Sequence, residues 1–200
     1  MPLIPHSPRR TAGSVVAAAL LITLAGGCGA SDAPVSSSAG TASPASGSAD
    51  APKAPAPTRL TVPSLGIDSE LLRLGLNEDG TVEVPAAEKG MTAGWYAGGA
   101  VPGEPGAAVL IGHNDTRLGK AVFHDLHTIA KGADITVSDG AGKENHFTVT
   151  GTETVKKNAF PSQKVYGATD ERVLRLITCD GDFDAAGHPV DNLIVYAKLR

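Results

Sequence analysis

The chain predicts an all-β fold, a closed barrel with one or two short helical segments. Short apolar or alternating runs recur across residues 58–200, each bounded by Gly, Pro, Asn or Asp. Strands and helices do not alternate as in βαβ units, and no internal repeat is present. Only Phe123, Leu126 and Ile129 keep a spacing of three, which suits one helical or 3₁₀ segment.

Taken in order, residues 59–63 and 71–76 alternate or run apolar and read as strands. Asn77-Glu-Asp-Gly80 makes a turn into a further strand at 81–84. Ala93-Gly-Trp-Tyr96 follows, then the Gly/Pro-rich stretch 101–106. Strand-like runs return at 107–112, 134–137, 146–150, 172–178 and 192–198.

The first quarter of the chain differs in kind. Arg9-Arg10 precedes an apolar stretch from Val15 to Ala25, then Gly26-Gly27-Cys28. A basic segment followed by an apolar run shorter than the roughly 20 residues of a spanning helix reads as an export signal over 1–28. The residues after Arg9-Arg10 lack the apolar consensus of a twin-arginine signal. Residues 29–57 are almost entirely Ala, Ser, Pro, Gly and Thr, a composition that cannot bury enough apolar surface to offset ordering entropy. They are expected to form a disordered linker, leaving 58–200 as one folded domain, exported and expected to be held at the outer face of the cell membrane.

The net charge of −4 and the lack of any basic run exclude nucleic acid as the main partner. There are two cysteines, Cys28 and Cys179, so the folded part holds one thiol and no internal disulfide. In an oxidising compartment a lone thiol is more often reactive than structural. Cys179 ends the run Val173-Leu-Arg-Leu-Ile-Thr-Cys179 and opens into Asp180-Gly-Asp-Phe-Asp184. His113 ends the matching run Ala107-Ala-Val-Leu-Ile-Gly-His113. A Cys and a His at two strand termini are the minimal apparatus for thiol acyl transfer: the thiolate attacks, and an imidazolium stabilises it and then protonates the leaving nitrogen.

Gly112-His113, Phe123-x-x-Leu126, Gly132-Ala-Asp134 and Leu176-Ile-Thr-Cys179 together resemble a sortase. The stretch 107–123, with Asp79-Gly-Thr-Val-Glu-Val84 and Ala93-Gly-Trp-Tyr96, most resembles the actinobacterial class F (class E/F-like) branch. The resemblance covers residues 58–200. It implies a sortase-like barrel with Cys179 as nucleophile and His113 as acid/base. The reaction it implies is cleavage of a Leu-Pro-x-Thr-Gly-like sorting signal after Thr, through a thioester. Its partners would be secreted proteins carrying that C-terminal signal and an amine acceptor, on a cell-wall precursor or a protein lysine. No cofactor or metal is implied. Leu24-Ala-Gly-Gly-Cys28 resembles a lipobox with Ala25 where Leu is usual, so Cys28 is the expected lipidation site.

Sortases place an arginine about a dozen residues after the cysteine to bind the developing oxyanion. Between Asp180 and Ala197 this chain has neither Arg nor Lys, and Asn192 stands at the corresponding position. Arg175, four residues before Cys179, shares its strand face by parity and is the expected replacement. Arg117, four residues after His113, is the lesser candidate. Asn192 and Thr178 are the expected substrate-binding residues.

Other patterns carry less. Asp180, Asp182, Asp184 and Asp191 are spaced like a calcium loop, but Ala185 stands where its turn glycine is needed. His124 and His127 have ligand-like spacing without further ligands nearby in sequence. Asp115 either orients His113 or closes the turn after it. Two other readings compete: an L,D-transpeptidase, which would carry His-Gly before its cysteine rather than Ile177-Thr178, and a non-catalytic surface module with the same barrel.

Overall fold

A computed structural model describes residues 54–185, 187 and 189–200. The export segment, Cys28 and most of the linker lie outside the described residues. Ten strands follow one another: β1 Pro57–Val62, β2 Ile67–Leu74, β3 Ala93–Tyr96, β4 Gly106–Ile111, β5 Asp115–Thr116, β6 Gly119–Lys120, β7 Asp134–Asp139, β8 Glu144–Lys156, β9 Arg172–Phe183 and β10 Pro189–Leu199. One α-helix, α1 Ser162–Tyr166, lies between β8 and β9. Eight strands close a barrel in the order β1-β2-β3-β4-β9-β10-β8-β7, with β5 and β6 forming a separate two-stranded hairpin. The all-β expectation holds.

β4 and β9 run parallel at the centre, from Gly106 opposite Arg172 to Ile111 opposite Ile177. Their near-continuous apolar character follows from burial on both faces. Ala108, Leu110, Leu174 and Leu176 point into the barrel among Leu60, Trp95, Phe123, Phe147 and Val195. Val109, Ile111 and Ile177 point outward into a second cluster with Leu74, Ile194 and Val165 of α1. Phe123, Leu126 and Ile129 are all buried, and Leu126–Thr128 is the expected 3₁₀ turn.

Three local expectations are corrected. Residues 81–84 form no strand: a single bridge joins Leu76 to Val82, and the segment belongs to the long connection from β2 to β3. α1 has no counterpart in the sequence reading. Cys179 does not end its strand, because β9 continues to Phe183 as a hairpin with β10. What ends there is the pairing with β4.

Candidate active site

The site forms where β4 peels away from β9. The last rung of that ladder is Ile111–Ile177, followed by the bond from the Gly112 N–H to the Ile177 carbonyl at 3.1 Å. Beyond it β9 keeps β10 on one side and is open on the other, so Cys179 is firmly registered yet half-exposed. A Cβ at Gly112 would lie 2.7 Å from the Phe123 and Val122 side chains. Glycine is what lets the chain turn there. The Phe123 N–H then donates to the His113 carbonyl at 2.9 Å, so the buried apolar segment predicted from spacing also fixes the histidine backbone.

His113 and Cys179 line one cavity of about 720 Å³. Its floor is Ile111 and Ile177. Leu76, Val82 and Val84 of the β2–β3 connection line the cavity, as do Phe160, Ser162 and Tyr166. Leu76 and Val84 are 53% and 58% exposed, so apolar surface is left for an occupant to cover.

The His113 Nε2 lies 2.6 Å from the Pro85 carbonyl oxygen. A carbonyl only accepts, so Nε2 carries the hydrogen and donates it, and Nδ1 is the atom free to gain and lose a proton. On the other side, the Asn114 side-chain amide donates to the Cys179 carbonyl at 3.2 Å, replacing by a side chain the ladder that β4 no longer supplies. Asn114 was not singled out in the sequence; its only signal there is its place directly after His113.

Cys179 stands opposite Asn192 on β10, and both line the cavity. Thr178 is buried, its hydroxyl oxygen has no hydrogen-bond partner, and it lines the same space. Among the described lining residues, Lys157 carries the one permanent charge.

Parity along β9 is continuous from Arg175 to Cys179, as the strand period requires, with no bulge between them. The structure nevertheless does not bring Arg175 to the Cys179 cavity. Its partner across the ladder is Tyr196, its guanidinium lies 4.7 Å from that ring centroid, and its Nη1 donates to the Leu174 carbonyl. Ile177 and Ile194 form the rung between. Arg117 is likewise elsewhere, ion-paired with Glu88 on the surface. Asp115 bonds to His124 Nδ1 at 2.9 Å rather than to His113, and His127 Nδ1 lies 3.2 Å from the His124 carbonyl. Asp180 accepts from the Thr154 hydroxyl, and Asp191 pairs with Lys156.

The sortase domain family profile matches residues 60–200. In structure the chain is similar to sortase C-1 from Actinomyces oris, with a TM-score of 0.57 at 21% identity, covering 72% of this chain and 71% of that one. Sortase A from Corynebacterium diphtheriae gives 0.56 at 18% identity, covering 73% of this chain and 61% of that one. The Group B Streptococcus pilus island 1 sortase C2 gives 0.55 at 20%, covering 72% and 73%. At these identities the likeness to solved structures is one of fold. No curated protein matches the chain in sequence. The family match spans well over half of the chain and includes every residue of the cavity, so this chain belongs to the sortase family of cysteine transpeptidases.

Proposed function

We propose that Cys179 attacks the Thr carbonyl of a Leu-Pro-x-Thr-Gly-like sorting signal on a secreted protein. The thioester then passes to an amine, on a cell-wall precursor or a protein lysine. The observation that carries this reading is that one groove with apolar walls holds both Cys179 and His113 where β9 loses its β4 neighbour.

Each step has a residue. His113, charged through Nδ1–H, stabilises the Cys179 thiolate; Sγ bonds to the carbonyl carbon and its C=O electrons move to oxygen. Collapse of that intermediate breaks the C–N bond as His113 gives its Nδ1 proton to the departing nitrogen. The incoming amine, losing a proton to His113, reverses the sequence and frees the thiol. The developing oxyanion takes a hydrogen bond from the Asn192 amide, which the register puts across from Cys179. Thr178 lines the same cavity and is the second residue we assign to peptide binding. The half-exposed apolar walls suit the Leu-Pro part of the signal.

The subtype we assign is the actinobacterial class F (class E/F-like) branch, supported by the segments 79–84, 93–96 and 107–123. The enzyme works at the outer face of the membrane, anchored through acyl chains on Cys28 and the 29–57 arm. Incubating the protein with a library of Leu-Pro-x-Thr-Gly-like peptides and an amine, then reading Cys179 by mass spectrometry, tests the chemistry. An acyl adduct is expected, and its absence with every peptide counts against the reading. Palmitate labelling that is lost in Cys28→Ala tests the anchor.

A non-catalytic module is the second reading, favoured by the uncharged Asn192 opposite the thiol. A Cys179 no more reactive to an alkylator than in the unfolded chain, together with no turnover, would favour it.

A further inference from the structure

On the outer face of β9 and β10, three rungs succeed one another: Cys179 with Asn192, Ile177 with Ile194, and Arg175 with Tyr196. The first borders the catalytic cavity. The third borders a second cavity of about 360 Å³, lined by Arg175, Tyr196, Lys198, Val173, Lys164 and Glu153, with Thr150, Gly151 and Thr152 at its edge. α1 stands between the two. Its Val165 packs on the apolar rung, Ser162 and Tyr166 face the catalytic cavity, and Lys164 faces the second one.

Charge in this second cavity is unbalanced. Lys164 is held by Glu153 at 2.5 Å, and Lys198 by Glu171 at 2.6 Å. Glu153 also accepts from the Tyr196 hydroxyl at 2.7 Å. Among the described residues Arg175 has no ion pair. Its one hydrogen bond goes to the carbonyl of its own neighbour Leu174, its Nε is buried without a partner, and burial lowers its pKa. A guanidinium has five donors, so one permanent cation sits half-desolvated with most of its donors unused. Both Arg175 and Lys164 lie over the Tyr196 ring, at 4.7 and 4.6 Å from its centroid.

We propose that this cavity is a subsite for an oxyanion, a carboxylate or a phosphate, carried by the amine acceptor. The anion would be bound by Arg175 with Lys198 at the rim. The identity of the carrier rests on the transpeptidase reading; the anion site itself does not. Four residues of strand span about 13 Å, and α1 over the buried Ile177–Ile194 rung fills the direct path, so an acceptor that presents its amine at Cys179 and its anion at Arg175 passes around α1 and is longer than four extended residues. Tetraglycine serves as the carboxylate probe.

The test uses the full-length protein carrying Cys179→Ala, which cannot form a thioester, so its outcome is independent of acyl transfer. NMR titrations with tetraglycine, tetraglycine amide and inorganic phosphate follow the signals of Arg175 and Tyr196. Saturable shifts are expected with the acid or with phosphate and not with the amide. Affinity is expected to fall at least tenfold on adding Arg175→Gln and about threefold on adding Lys198→Gln, an exposed position that keeps the test alive if the first variant unfolds. Binding of tetraglycine alone assigns a carboxylate, and of phosphate alone a phosphate. No saturable shift with either probe, or an affinity indifferent to both substitutions, overturns the proposal. Failure of the wild-type protein to acylate Cys179 would overturn the transpeptidase reading instead and leave the anion site standing.

Discussion

The two polar rungs of the β9–β10 ladder differ in what flanks them. Arg175 is paired on both sides, with Val109 of β4 and Tyr196 of β10, whereas Cys179 is paired only with Asn192. The first position is one where a charged side chain is held; the second is one where a side chain can be approached. On the proposed reading, the reactivity of Cys179 comes from withdrawing one neighbour from an otherwise rigid strand, not from placing the thiol on a flexible loop.

That contrast can be broken at several points. On the proposed mechanism His113→Ala removes the proton carrier and is expected to lower kcat by about 10²–10⁴, read in a peptide transpeptidation assay. Loss of Asn192, the oxyanion donor of that mechanism, is expected to cost about 10²–10³ in kcat. Asn192→Arg, which returns a charged donor to the same rung, should recover most of that loss; an Asn192→Ala variant as fast as wild type would remove the amide from the mechanism.

The apolar rung is probed by Ile194→Ala. The residue is fully buried beneath α1, so about 2–5 kcal/mol of stability should disappear in denaturant melts. A methyl at Gly112 must displace Phe123 or Val122, so Gly112→Ala is expected to destabilise by about 1–3 kcal/mol. Its kcat should fall further than that loss explains, because the Phe123 N–H holds the His113 carbonyl. Smallest is Asn114→Ala, which gives up one side-chain bond to Cys179, about 1 kcal/mol. A thermal melt unchanged within error would show that β10 alone holds Cys179 in place.

The legible parts of this fold are those where burial dictates composition. β4 and β9 declare themselves because both faces are covered, and the 3₁₀ turn because Phe123, Leu126 and Ile129 all point into the core. The extension of β9 to Phe183 is not legible. Asp180, Gly181 and Asp182 have no strand-like character: Gly181 takes a φ of 78°, and β10 pairs with Asp180 and again with Phe183 across a register shift. The five residues of α1 are too few to show a period. The 81–84 run has the right alternation, yet Val84 is exposed and has no strand beside it. In the site, Cys179 and His113 are named by their place after apolar strands. Parity correctly gives the face of Arg175 but says nothing of the Ile177–Ile194 rung that walls it off, nor of the aromatic ring that holds it.

The hydrogen bond from His113 to Pro85 uses a main-chain oxygen as its acceptor. No amino-acid replacement at position 85 deletes that atom. A family of variants could therefore change every side chain in the β2–β3 connection, altering which peptides fit against Leu76, Val82 and Val84, while the imidazole keeps its pose. Insertions and deletions are another matter, because they move the carbonyl itself. On the proposed reading, specificity is written in side chains, and the alignment of the proton carrier in the length of the chain.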